Sequence, residues 1–260
     1  MCLAVFAYRM HPEFDLIFAA NRDEFYERPS RPAQYWDSFP QILGGQDERS
    51  GGTWLGVTTG GRFSALTNYR DLRNIKEDAP SRGHLVLNFL KGDMTPEQYM
   101  KKVESTGEMY NGFNLLAGYP NHLYYISNEA EGFEEVKPGI HGLSNHLLDT
   151  PWPKVERAKR GLRKLIEHDH LASADVFELL QNSTEAEDDQ LPDTGLSKER
   201  EKQVSPIFIT TPDYGTRNST IVTVDKKGEV WFHERVYKDG STKIEEEHRY
   251  TFYIKGYGDS

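Results

Sequence analysis

The chain of 260 residues has a single cysteine, no long apolar run and fewer positive than negative charges. One thiol cannot close an internal disulfide, so the fold stands without covalent staples, as expected of a protein from a reducing, cytoplasmic setting. No stretch approaches the roughly 20 apolar residues that cross a bilayer as a helix. The apolar start from Leu3 to Tyr8 is too short for a secretory leader and has no basic residues before it. Lys and Arg number 31 against 41 Asp and Glu, a formal net charge of −10, which repels a phosphate backbone and excludes nucleic acid from the expected partners. Nine histidines are scattered without metal-ligand spacing, so no metal site is expected.

What is present fits one domain spanning residues 1–260, with 37% hydrophobic and 12% aromatic residues available for its core. "CLAVFAY" and "DLIFAAN" read as central strands buried on both faces. "TWLGVTT" and "RFSALTN" flank Gly60 and Gly61, and "FNLLAGY" and "HLYYISN" flank Pro120 and Asn121, which predicts two hairpins. "SRGHLVLNFLKG" and "TPEQYMKKVES" predict consecutive helices, the second with a Thr cap and Pro at its first position. Val155, Ala158, Leu162, Leu165 and Ile166 recur at helical spacing, and "SADVFELLQ" opens another helix.

The acidic stretch 185–203, broken by Pro192 and Gly195, predicts an exposed loop. Strands then return in "PIFITT", "STIVTVD", "EVWFHERVY" and "KIEEEHRYTFYI". This order predicts an α+β fold of antiparallel sheets covered by helices rather than a doubly wound parallel sheet. The glycine pairs Gly44–Gly45 and Gly51–Gly52 around "QDERS" match neither a phosphate loop nor a dinucleotide fingerprint and are expected in turns or a lid.

The one thiol, Cys2, follows Met1 directly. Removal of Met1 gives one residue both a thiol and a free α-amine, with pKa values near ~8.5 and ~7.7–8.0 in model peptides. That is a nucleophile with its own base. The second apolar strand runs straight into Asn21, Arg22, Asp23 and Glu24, and pairing of the first two strands brings this corner to Cys2. A guanidinium about 4 Å from a thiolate is worth up to roughly 4 kcal/mol at an effective dielectric near 20, so Arg22 is a candidate to activate the sulfur, with Asp23 holding the amine. Asn68, Asn111, Asn114, Asn145 and Arg217 sit at later strand ends and are candidate donors to an oxyanion or a ligand.

"MC", "AANRDEFYERPS", "GGTWLG", "ALTNYR", "YNGFNLL", "GLSNHLLDTPWPK" and "YGTRNST" together resemble the NRDE family, also called the transport and Golgi organization protein 2 family, over roughly the whole chain. The resemblance implies a four-layer αββα sandwich of the N-terminal nucleophile hydrolase kind. That superfamily includes choloylglycine hydrolases and penicillin V acylases, which cleave non-peptide amides with an N-terminal cysteine and need no cofactor. By that resemblance Cys2, Arg22, Asp23, Asn145 and Arg217 correspond to catalytic positions, and Asn21, Glu24, Asn68, Arg82 and Asn114 are expected to bind the small-molecule ligand. The Arg and Asp of those hydrolases are separated by two residues, whereas Arg22 and Asp23 are adjacent and, in a strand, point to opposite faces. The resemblance also implies a second role, carriage of haem or of coenzyme A and its acyl esters, with Arg22, Arg82 and Arg217 as candidate contacts to phosphate.

Overall fold

Side-chain alternation along the first two strands sorts their apolar residues into two layers. In the computed structural model, which describes residues 3–168 and 171–257, β1 (Leu3–Tyr8) and β2 (Phe14–Phe25) pair antiparallel, Leu3 opposite Asn21 and Tyr8 opposite Leu16. Phe6, Tyr8, Leu16 and Phe18 enter one core, while Leu3, Val5, Ile17 and Ala19 enter another. Burial on both faces is why these strands carry near-continuous apolar runs.

The chain then builds β3 (Ser30–Trp36), β4 (Phe39–Asp47), β5 (Leu55–Thr58) and β6 (Phe63–Asn68), followed by helices α1 (Gly83–Lys91) and α2 (Pro96–Thr106). Strands β7 (Phe113–Tyr119), β8 (His122–Ser127), β9 (Phe133–Glu135) and β10 (Gly139–Leu143) precede α3 (Pro153–Glu167) and α4 (Ser173–Leu180). A short α5 (Lys198–Gln203) leads to β11 (Tyr214–Asp225), β12 (Glu229–Tyr237) and β13 (Ile244–Tyr253). One sheet has the order β10-β1-β2-β11-β12-β13 and the other β3-β4-β5-β6-β7-β8-β9. Every pairing is antiparallel.

The sheets face each other across a core that includes Phe6, Phe18, Phe63, Leu116 and Phe232. Helices α1 and α2 cover the second sheet through Leu85, Phe89, Met100 and Val103. Helices α3 and α4 cover the first through Val155, Ala158, Leu162 and Phe177. The result is the four-layer αββα sandwich. Thr95 caps α2 by accepting from the Gln98 N–H while the Gln98 side chain accepts from the Thr95 N–H, a reciprocal box that fixes where this helix begins. Both expected hairpins form, β5 with β6 and β7 with β8.

Three local expectations change. Gly44 and Gly45 lie inside β4 rather than in a turn. A Cβ on Gly44 would meet the Leu55 carbonyl and one on Gly45 the Trp54 ring, so close packing, not reversal, requires glycine there. Gly51, at φ 73°, does make the turn. "PIFITT" is not a strand. Ile207, Phe208 and Ile209 are buried as an irregular plug, with the Phe208 N–H donating to Asn182 O and the Ile209 N–H to Thr216 Oγ1. Burial, which a strand and a plug share, is what the apolar pattern reports. Stretch 185–203 is largely exposed but is pinned by buried Ala186, Thr194 and Glu201, the last within α5. Among the described residues no helix is long and apolar enough to cross a membrane.

Candidate functional site

Strand β2 does not stop before its polar residues but continues through Phe25, so alternation persists and Arg22 and Asp23 face opposite sides of the sheet. Arg22 turns between the sheets. It is only 3% exposed, its guanidinium lies 4.2 Å over the Trp54 ring, donates to Ser30 Oγ at 3.4 Å and sits 3.9 Å from Asp47 Oδ2. Burial pulls its pKa below the ordinary arginine value. Asp23 turns the other way and accepts from Thr216 Oγ1 at 2.6 Å. Opposite this corner, β11 carries a bulge between Thr216 and Asn218, which leaves Arg217 as the extra residue and re-aims its side chain.

Two adjoining cavities open at this end of the sandwich. The larger, of about 630 Å³, is lined by Asp23, Asn68, Asn145, Arg70, Arg200 and Tyr214 among others. The smaller, of about 260 Å³, is a polar annex on Arg22, Asp47, Ser50, Thr53, Trp54 and Gly83, the first residue of α1. Glu24, Arg28, Asn68, Arg82 and Asn111 line both. The annex gathers Arg22, Arg28 and Arg82 against Glu24 and Asp47, and the positive end of α1 adds to the cationic side. Burial alone would raise the Asp47 carboxyl, but the Arg28 guanidinium at 2.6 Å and the Ser50 N–H at 2.9 Å hold it below its ordinary value. Phe25, Leu72 and Ile75 are exposed apolar side chains on the wall of the larger cavity.

Of the residues expected at a site, Asp23, Glu24, Asn68, Arg82 and Asn145 line the large cavity and Arg22 the annex. Asn145 donates its amide N–H to Asn68 O at 2.9 Å, and Arg82 donates to Gly112 O at 2.8 Å. Asn21, Asn114 and Arg217 line neither cavity, because the fold engages them. Asn21 donates to Leu180 O and Ile207 O and accepts from Ser219 Oγ. Asn114 donates to Thr67 Oγ1 and His146 O and accepts from Tyr125 Oη. One amino group of Arg217 donates to the carbonyls of Phe25, Tyr26 and Arg28, locking the exit from β2. Cys2 lies outside the described residues.

Sequence reasoning missed Arg28, Asp47, Trp54, Arg70 and Glu201. Arg28, Trp54 and Arg70 belong to "ERPS", "GGTWLG" and "ALTNYR", and their position just past or before a strand end was the available signal. Glu201 gave none, since it stands in an acidic run. Trp54 is the seat of Arg22, and Gly45 makes room for its indole. Gly45→Ala is therefore expected to cost about 1–3 kcal/mol by overpacking and to unseat Arg22, read as a lower urea midpoint together with weakened anion binding. An unchanged midpoint would show that Trp54 can shift freely.

The loop that carries Asn145 is stapled beneath the cavity. Asp149, at φ 58°, accepts from His141 Nδ1 at 2.7 Å, Lys159 Nζ at 2.6 Å and the Gly142 N–H at 2.9 Å. Burial would raise Asp149, but these three donors bring it down to about 2. Burial would lower His141, but Asp149 and the Lys137 carbonyl raise it above 6.5. The His141 contribution to stability is thus fully present below pH 6.5 and is lost as pH rises through its higher folded pKa. The Asp149 contribution is present above pH 3.8 and is lost as pH falls toward about 2. Urea midpoints measured across pH should fall on the alkaline side of 6.5, and His141→Gln should remove that part of the slope; an equal slope in both proteins would rule the staple out as its source.

Among the described residues no three His, Cys, Asp or Glu side chains converge to hold a metal ion. The profile of the family described as Transport and Golgi organisation 2 matches residues 1–239. The chain belongs to the Transport and Golgi organisation 2 family. It is 39% identical over 279 residues to the mouse (Mus musculus) Transport and Golgi organization 2 homolog, covering 98% of this chain and all of that protein. To the human (Homo sapiens) Transport and Golgi organization protein 2 homolog it is 37% identical over 280 residues, with the same coverage. Among solved structures, a variant of conjugated bile acid hydrolase from Clostridium perfringens superposes with a TM-score of 0.52 at 10% identity, covering 96% of this chain and 97% of that one. The family sandwich in this chain is accordingly N-terminal nucleophile hydrolase-like.

Proposed function

We propose that this member of the Transport and Golgi organisation 2 family is a cysteine-dependent acyl hydrolase, cleaving an amide or thioester of a small non-peptide substrate. The observation that carries the reading is the register of the first two strands. Leu3 pairs with Asn21, which sets the start of β1 at the corner where Arg22 enters the annex and Asp23 the larger cavity; Cys2 is the residue that precedes Leu3 in the sequence. The superposing sandwich is that of a conjugated bile acid hydrolase. In the proposed reaction Met1 is removed, the Cys2 thiolate attacks the acyl carbon, and the C–N or C–S bond breaks as the Cys2 α-ammonium protonates the leaving group. Water then attacks the thioester, releasing the acid and restoring the thiol. The test is intact mass after incubation with acyl-coenzyme A and with N-acyl amines. A species lacking Met1 that gains one acyl group on Cys2 is expected, whereas turnover by protein that retains Met1 would exclude the free-amine mechanism.

A second reading, a carrier without turnover, draws on two observations. One N–H of the Asn145 amide is already committed to Asn68 O, which leaves a single one for a developing oxyanion, and three arginines gather at the annex. Coenzyme A suits this cavity better than haem does. Arg22, Arg28 and Arg82 offer donors to phosphate, while the described residues lining the large cavity offer haem iron only Tyr69 and Tyr214 as axial-ligand types. Coenzyme A affinity that survives Cys2→Ala, with no adduct and no product in the unsubstituted protein, would select the carrier.

A further inference from the structure

A separate cavity of about 430 Å³ lies on the outer face of the first sheet, between the start of α4 and strands β11 to β13. It shares no lining residue with the cavity and annex described above. Ile17, on its wall, precedes Asp23 by six residues of one extended strand, a separation of about 20 Å. The volume falls within the roughly 300–1,000 Å³ of small-molecule sites, and the walls have their composition, mostly apolar with a few polar groups. Ile17, Val176 and Ile221 form an aliphatic side, and Phe14 and Trp231 supply aromatic surface. Trp231 is 56% exposed, an apolar area that the described residues leave uncovered.

The charge around this cavity selects one kind of head group. Among the described residues, Arg249 is the one lining side chain with a permanent charge, and no described aspartate or glutamate lines the space. Its guanidinium is held in place, Nε donating to His233 Nε2 at 3.1 Å and an amino group pairing with Glu247 at 2.7 Å. Glu247 is shared with Arg235, at 2.8 Å, so its carboxylate is divided between two arginines. Ser173 lines the cavity where α4 begins, and the N-terminal end of a helix carries the same sign as these arginines, offset in part by Asp175 in its first turn.

We propose that this cavity binds a small hydrophobic monocarboxylate, its hydrocarbon body between Ile17, Val176, Ile221 and Trp231 and its carboxylate at Arg249. The site works without Cys2 and stands apart from the hydrolase or carrier reading. The test titrates the full chain with decanoate, following indole emission and, independently, heat of binding. Saturable binding is expected, with an emission change that Trp231→Phe removes. Thr223 is a half-buried side chain on the cavity wall, and Thr223→Phe, which fills the space, should weaken binding at least tenfold. Arg249→Gln alters a side chain 67% exposed and should leave the fold intact while weakening binding about two- to fivefold, the range of an exposed charge contact. Uncharged decanol should bind more weakly than decanoate, and Cys2→Ala should change nothing. No saturable heat, decanol binding as tightly as decanoate, or an affinity indifferent to both Thr223→Phe and Arg249→Gln would each overturn the proposal.

Discussion

Replacing Cys2 with alanine is expected to abolish the acyl adduct and to lower acyl hydrolysis by about 10³-fold or more, the scale on which removal of a covalent nucleophile acts. The effect should be this large because the chain holds no second thiol, and no neighbouring cysteine can take over. Cys2→Ser should be nearly as damaging, since a hydroxyl with the same amine beside it remains protonated where a thiol near ~8.5 ionises in part. The variant also divides the two readings, because the carrier reading rests ligand affinity on Arg22, Arg28 and Arg82 rather than on sulfur. Arg22→Met should weaken binding of an anionic ligand by about 2–5 kcal/mol, the range for truncating one partner of a buried charge pair. Product formed at an undiminished rate by Cys2→Ala would remove the nucleophile from the proposal. Equal ligand affinity in Arg22→Met would remove the annex.

The sandwich was legible because its central strands are buried on both sides and its helices carry their own stops and caps. The runs "LAVFAY" and "LIFAA" need no partner information to be read as interior strands, and Thr95 with Pro96 opens α2 as its sequence pattern demands. The plug at Ile207–Ile209 was not legible, since an apolar run reports burial and not backbone form, and its hydrogen bonds go to Asn182 and Thr216 rather than to a ladder. At the site, sequence order brought Arg22 and Asp23 to one corner, and alternation set them on opposite faces. What order could not tell is which polar groups the fold itself consumes. Asn21, Asn114 and Arg217 look the same in the sequence as Asn68, Asn145 and Arg82, and only three-dimensional neighbours, Leu180 O for Asn21 and Phe25 O for Arg217, separate a structural donor from one lining a cavity.

Glu201→Ala should be the most destabilising of the polar substitutions considered, at about 3–5 kcal/mol, because it strands the charge of Arg70, which is only 15% exposed. Glu201 is 2% exposed. It accepts from Arg70 at 2.9 Å, from the Thr194 N–H at 3.1 Å and from the Thr194 hydroxyl. It joins α5 and the turn at Thr194 to the arginine that follows β6, whose guanidinium also lies 5.2 Å from the Trp152 ring. Without the carboxylate, Arg70 faces the large cavity with no carboxylate at its amino group, and the 185–203 segment loses a principal anchor. The urea midpoint should fall, and proteolysis should begin within 185–203 before the rest of the sandwich opens. Arg70→Met combined with Glu201→Leu should recover much of the loss, since replacing both members of a buried pair by apolar groups removes the uncompensated charge. A midpoint shift below 1 kcal/mol in Glu201→Ala would mean that water reaches Arg70 as soon as its partner leaves, and that the cavity wall at α5 is held by packing alone.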